Sequence, residues 1–389
     1  MDSSPDRAGL SERLSRLSTT ARRPALKSER DEPALVAVLG ATRIVTGVLC
    51  LERRLPLSWR QGRFQLGACV TALPLLRDES PVTPDRWLFL DTETSGLAGG
   101  TGTWAFLTGL ARIDGVDLLL RQYLLTRLDA EADYLTAVQA ELDQAGLLIT
   151  FNGKSFDAPL LTTRLRLAGI RGGLDTKPHF DLLHPTRRAF ARVWSDCRLA
   201  SVEQRLLGVH RKGDLSGAEA PQAWLAWLRC GETMPLTGVL NHNRQDLLSL
   251  PALVSALALS LYSPDTMGAD VGAVARYWLV RGDEAKAYSI LSNGRDRLDD
   301  ADLLELARLH RRRDEWTEAE RIWRTLADRD LPQAIDALVK YLEHKQRNYP
   351  QALALVDRLP AGPDREHRQH RLETKLRTRM RGLGLRRAV

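Results

Sequence analysis

Five residues in three short stretches have side chains and spacings suited to chemistry. Asp91 and Glu93 lie in WLFLDTETSGL (87–97), Asp157 ends FNGKSFD (151–157), and His242 and Asp246 bracket HNRQD (242–246). An apolar run that stops at a turn reads as a buried strand. Residues i and i+2 of a strand share a face, so Asp91 and Glu93 project side by side. Two adjacent carboxylates at the end of a buried strand are costly unless something neutralises them. Hard oxygen ligands suit Mg²⁺ or Mn²⁺. The alternative for this pair is a solvated turn carrying two incidental acids. In the second stretch a strand ends, Asn152-Gly153 turns the chain, and Asp157 opens a helix, where a carboxylate could instead serve as a structural cap. His242 and Asp246 are four apart and face one side of a helix turn. The alternative there is an exposed polar face.

These stretches require elements that hold them. Over 80–262 the pattern predicts strands at 87–90, 103–113 and 118–124, the last two joined by an Asp114-Gly115 hairpin turn. It continues with a helix over 130–144, a strand at 147–151, a helix over 158–168 and a strand at 179–183. Helices follow over 201–207, 222–229 and 240–261, the last kinked at Pro251. Hairpin-ordered strands followed by alternating helices and strands predict an α/β fold with a mixed sheet and flanking helices. The glycine-rich 96–102 stretch lacks the ending of a phosphate-binding loop and precedes a strand. It reads as a loop beside the carboxylates that shapes a substrate groove.

On either side the composition changes. Residues 1–33 read as a basic, polar tail expected to be disordered, and 34–79 read as a small β-rich lead-in packed on the next domain. From 268 to 362 the chain is helical, and the Ala ending three similar stretches (Ala287, Ala319, Ala352) recurs every 32 to 33 residues. That period is near the roughly 34 residues of a tetratricopeptide-like helix pair. Residues 363–389 read as a basic C-terminal tail.

The chain has 389 residues, 43% hydrophobic and 27% charged, enough for two or three domains with ordinary cores. Its net charge of +7 favours an anionic partner, or else reflects a generally basic proteome. Cys50, Cys69, Cys197 and Cys230 are widely spaced, which points away from a zinc centre or a disulfide framework. No run reaches the roughly 18 to 20 apolar residues of a membrane span, and no signal-peptide core is present. The expectation is a cytoplasmic chain with no membrane partner.

Taken jointly and in order, the motifs resemble the DEDD exonuclease superfamily, whose fold is ribonuclease H-like. The first stretch matches DxE, the second Asn-x3-Phe-Asp, and the third sets a ring-bearing residue three residues before the last Asp. FLDTETSGLAGGTGTWAF, FNGKSFDAPLL, and the stretch from CRLASVE (197–203) through RKGDLSG (211–217) resemble more specifically the YprB-like ribonuclease H-like proteins. The resemblance spans roughly residues 35–262, with the helical repeats matched loosely. It departs from the wider superfamily at one position. The subclass with this spacing usually has Tyr where His242 stands, and another has His with one more residue before the Asp.

The resemblance implies two-metal phosphodiester hydrolysis, with cations about 4 Å apart. Asp91 would bridge two Mg²⁺ or Mn²⁺ ions, Glu93 and Asp246 would complete one site, and Asp157 the other. His242 would orient or deprotonate the water. Asn152, Lys154 and Thr92 are the expected substrate-binding residues: Lys154 for a phosphate, unless it is a solvated turn lysine, and Asn152 for the turn or a substrate sugar. His179 and Asp181 lie nearby without an assigned role. The expected activity is 3′–5′ exonuclease action on single-stranded nucleic acid or its 3′ ends. The alternative is a weak or inactive nucleic-acid-binding adaptor that recruits a protein partner through its helical repeats.

Overall fold

The computed structural model describes residues 31–77, 81–96, 102–211, 213–215 and 217–382. Residues 1–30 of the tail expected over 1–33, the last seven residues and most of the glycine-rich loop lie outside this set, whereas Asp31 caps and Glu32 and Pro33 begin a helix. Two compact units divide the chain: Met1–Thr186 with Asp196–Ala258, and Arg187–Ser195 with Leu259–Val389.

Among the described residues, the first unit begins with helix α1 (Glu32–Leu39), strands β1 (Thr42–Val45) and β2 (Val48–Pro56), a small hairpin β3 (Arg60–Gln61) and β4 (Phe64–Gln65), and α2 (Cys69–Leu76). Strands β5 (Trp87–Thr94), β6 (Ala105–Asp114) and β7 (Asp117–Leu125) follow, then α3 (Glu131–Gln144), β8 (Leu147–Thr150), α4 (Asp157–Leu167) and β9 (His179–Asp181). The seven-stranded sheet has the order β1-β2-β7-β6-β5-β8-β9. Hairpin connections make β5, β6 and β7 antiparallel, while the crossovers through α3 and α4 make β5, β8 and β9 parallel. This is the mixed sheet with flanking helices that the pattern predicts.

One boundary differs from expectation. Strands β1 and β2 belong to the main sheet, so the sheet begins well before residue 80. β2 pairs with β7 along its whole length, from Val48 opposite Leu125 to Pro56 opposite Asp117. The apolar Val48–Leu51 stretch is buried there, and the edge of β7 gains the hydrogen-bond partners it needs. The Glu32 carboxylate ties α1 to the same region by accepting from the Gly47 N–H at 3.0 Å and the Thr126 hydroxyl at 3.2 Å.

After β9 come α5 (Leu183–Phe190), α6 (Leu199–Val202), a π-helical turn (Glu203–Leu207), α7 (Ala220–Cys230) and α8 (Met234–Tyr262). The indoles of Trp224 and Trp227, one turn apart on α7, donate to the carbonyls of Leu125 and Thr126 at 2.7 and 3.0 Å. Buried indoles need such partners, and these two fix α7 to the end of β7. Helix α8 starts six residues before the predicted 240 and continues through Pro251. Contrary to expectation, it is long and apolar enough to cross a membrane, but 83% of its apolar window is buried inside the protein.

The second unit is a run of helices: α9 (Pro264–Met267), α10 (Val271–Val280), α11 (Glu284–Asn293), α12 (Asp300–Arg312), α13 (Trp316–Asp328), α14 (Pro332–His344), α15 (Tyr349–Val356) and α16 (Pro363–Gly382). The recurring Ala287, Ala319 and Ala352 are all 0% exposed, each buried in the helical packing at the same point of its repeat. The region expected as a basic tail is helical as far as residue 382. It is held by charge, since Arg371 and Lys375 of α16 reach Glu343 of α14 at 2.8 and 2.7 Å.

Candidate active site

The site begins at the end of β5. Asp91 stands opposite Gly109 on β6, which stands opposite Gln122 on β7. Helix α8 lies over this row. Asn243 is fully buried, and its amide nitrogen donates to Asp91 Oδ2 at 2.8 Å. Its oxygen accepts from the Gln122 amide at 2.8 Å, and Gln122 also donates to the Leu240 carbonyl at 2.8 Å. A Cβ at residue 109 would come within 2.2 Å of Asn243 Oδ1, so glycine is what lets the helix approach the sheet this closely.

With Asn243 facing the sheet, His242 and Asp246 turn together toward the end of β5. His242 Nε2 lies 3.6 Å from Asp246 Oδ2 and 4.0 Å from Glu93 Oε1. These are gaps, not hydrogen bonds.

Asp157 arrives on the first turn of α4. Its Oδ1 accepts from the Thr92 N–H at 3.0 Å and from the Thr92 hydroxyl. The capping alternative is thereby replaced by a tie to β5. Thr92, expected to bind substrate, has both its N–H and its hydroxyl committed to orienting Asp157.

The turn leading to Asp157 is clamped by Asp181 of β9. The buried Asp181 carboxylate accepts from the backbone N–H groups of Asn152 (2.7 Å), Lys154 (3.0 Å) and Leu183 (3.0 Å). These bonds hold Asn152 in a left-handed conformation, φ 69°, which Asn tolerates better than most residues. The Lys154 side chain is exposed beside the site. His179 makes a 2.8 Å bond to the Thr150 hydroxyl, and its pKa falls to about 4, chiefly through burial.

Arg211, which carries no expected role from the sequence, ties the far side together. It grips the fully buried Glu203 with two bonds, Nε to Oε2 at 2.7 Å and Nη2 to Oε1 at 2.8 Å. Its Nη1 donates to Asp214 Oδ2 at 2.9 Å, and its Nη2 donates to Asp246 Oδ1. Asp214 Oδ2 in turn lies 2.8 Å from His242 Nδ1. Glu203, Arg211 and Asp214 fall within the two family-like stretches at 197–217. The available signal was an acidic residue inside an apolar helical run followed by a compensating Arg.

The electrostatics follow from this crowding. Burial first, then repulsion from Asp246, Asp157 and Glu93, raises the Asp91 carboxyl well above the usual carboxylate range. Burial and the charges of Asp246 and Asp157 push Glu93 up to about 8. Asp157 and Asp246 rise to about 6 by burial, restrained by the Thr92 bonds in one case and by Arg211 in the other. Among the described residues, no three His, Cys, Asp or Glu side chains are placed to hold one metal ion. The donor set nevertheless fits a hard divalent cation in kind and charge: four clustered carboxylates whose ionised forms need an added positive charge.

Sheet, helix and carboxylate cluster together define a class, the ribonuclease H-like domain. Consistent with this, the RNase_H superfamily pattern matches residues 88–258. The chain is also 30% identical over 331 residues to the uncharacterized protein YprB of Bacillus subtilis (strain 168), a match covering 79% of each protein. It belongs to the YprB-like family of ribonuclease H-like proteins. Among solved structures, the family B DNA polymerase of Pyrobaculum calidifontis is similar over 61% of this chain, at 14% identity and a TM-score of 0.35. The match spans 30% of the polymerase chain.

Proposed function

We propose that the protein is a metal-dependent 3′–5′ exonuclease acting on single-stranded DNA or RNA. One observation carries this reading: Asp91, Glu93, Asp157 and Asp246, from three distant stretches, converge at the end of β5, with Asp157 bonded to Thr92 between the first two and Asp246 and Glu93 lying 3.6 and 4.0 Å from the same His242 nitrogen. Two Mg²⁺ or Mn²⁺ ions held by these four carboxylates would neutralise them and activate the water and the scissile phosphate. Thr92 and Asn243 aim Asp157 and Asp91, and Lys154 provides a cation for a substrate phosphate. His242 Nε2 takes a proton from water as its oxygen bonds to phosphorus. The bond from phosphorus to the 3′ oxygen breaks, and that oxygen takes up a proton from solvent. The products are a nucleoside 5′-monophosphate and a strand one residue shorter. The helical repeats provide a surface for a protein partner.

A second reading is a nucleic-acid-binding adaptor with weak or no cleavage, favoured by the hold of Arg211 on Asp246. The test uses 5′-labelled single-stranded DNA and RNA with Mn²⁺, Mg²⁺ or EDTA, beside Asp91→Ala. A metal-dependent ladder shortening from the 3′ end, absent in the variant, is expected. Salt-sensitive binding without cleavage would transfer the assignment to the adaptor.

A further inference from the structure

The nitrogen that His242 turns toward the carboxylates is useful as a base only if it carries a lone pair, and the opposite ring nitrogen decides this. His242 Nδ1 has two neighbours that demand opposite tautomers. Asp214 Oδ2, at 2.8 Å, can only accept when ionised and so requires a proton on Nδ1. Arg211 Nη1, at 3.1 Å, can only donate and so requires a lone pair there.

We propose that Asp214 wins this competition and is the positioning residue that makes Nε2 of His242 a proton acceptor. This inference rests on the exonuclease reading of the site. The contact to Asp214 is the shorter, and a carboxylate accepting from a ring N–H makes the stronger, charge-assisted bond. Asp214 is itself held in place. Arg211 donates to the same Oδ2 at 2.9 Å, and Arg211 is anchored by its two bonds to the buried Glu203. The opposite tautomer would put a proton on Nε2, aimed at Glu93 and Asp246 across 4.0 and 3.6 Å, too far for a good hydrogen bond.

This arrangement gives a physical role to the departure at position 242. A histidine one helix turn before Asp246 is turned and set by a carboxylate from a separate loop, not by its own helix. Glu203 and Arg211 act through Asp214 and are positioning residues of the same chain.

The experiment records long-range ¹H–¹⁵N correlations of histidine-labelled, metal-free full-length protein, at a pH where no imidazolium signal remains. The His242 signal is assigned by its loss in His242→Gln. The wild type is expected to show the Nδ1–H tautomer and Asp214→Ala the Nε2–H tautomer, with the fold unchanged by circular dichroism. An Nε2–H tautomer in the wild type overturns the proposal. In single-turnover cleavage, Asp214→Ala is expected to slow the chemical step about 10- to 100-fold with little change in substrate affinity, and to add nothing in a His242→Ala background. Fully additive losses in the double variant also overturn it. A wild type that does not cleave at all would refute the exonuclease reading, while the tautomer measurement would still decide the role of Asp214.

Discussion

Asn243 on α8 donates from its amide to Oδ2 of Asp91 on β5 over 2.8 Å, joining residues 152 apart in the chain. The helix that supplies His242 and Asp246 is thereby set in register with the strand that supplies Asp91 and Glu93. Asn243→Ala leaves both Asp91 and Gln122 without this buried partner. It should cost about 1–3 kcal/mol in urea unfolding and slow cleavage. Gly109→Ala should do the same by another route, because its new Cβ would push Asn243 off the sheet. Unchanged stability in both variants would show that this contact does not set the helix.

The carboxylate cluster should make metal-free protein less stable as pH rises. Glu93 is raised from its ordinary 4.5 to about 8 by burial and by the nearby Asp246 and Asp157 charges. Between those values the unfolded chain has released a proton that the folded protein still holds, so stability falls with increasing pH. Melting in EDTA should therefore drop between about pH 5 and pH 8, and Glu93→Gln should flatten the decline. Mn²⁺ should raise the melting temperature more at the alkaline end. A pH-independent melt in both proteins would argue against a strained cluster.

Arg211 should contribute strongly to stability because of Glu203. Arg211→Ala leaves a fully buried carboxylate without its bidentate partner, a loss on the order of 3–5 kcal/mol. Arg211→Lys keeps the charge but not the two parallel bonds, and should fall between wild type and the alanine variant. Chemical denaturation of the three proteins checks the order.

Asp181 should act on the site through the backbone. Asp181→Ala frees the N–H groups of Asn152 and Lys154, so their amide hydrogen exchange should accelerate. Cleavage should weaken because the turn before Asp157 is no longer clamped. Protected amides at 152 and 154 in the variant would show that the turn holds its shape unaided.

Glu343 should carry an opposite pH signature in the helical unit. Burial works against its ionisation, but Arg371 and Lys375 outweigh this and hold its carboxyl down to about 2. Its contribution is complete above its unfolded value near 4.5 and is lost as pH falls toward 2. Acid melts of full-length protein should show a steeper loss over that window in wild type than in Glu343→Gln.

What could be read from the sequence was local. The apolar run 87–90 ending in Asp91 and Glu93, the turn before Asp157 and the shared helix turn of His242 and Asp246 each depend on residues a few places apart. Periods of two and 3.6 write such features directly into the chain. The repeat spacing that buries Ala287, Ala319 and Ala352 is legible for the same reason.

Choice of partner was not legible. Nothing near Val48 says that β2 will pair with β7, and nothing near Thr92 says that its hydroxyl will be taken by Asp157 instead of by a substrate. Arg211 has several acids close in sequence, yet one of its partners is Asp246, 35 residues on, which it reaches only because the loop after the π turn folds back against α8. By itself the sequence determined which side chains can do chemistry and which short elements carry them, because those depend on neighbours along the chain. Only the tertiary structure decided which charges meet and which ring nitrogen faces the carboxylates, because hydrogen-bond and charge pairing act through space between segments whose separation along the chain leaves no local trace.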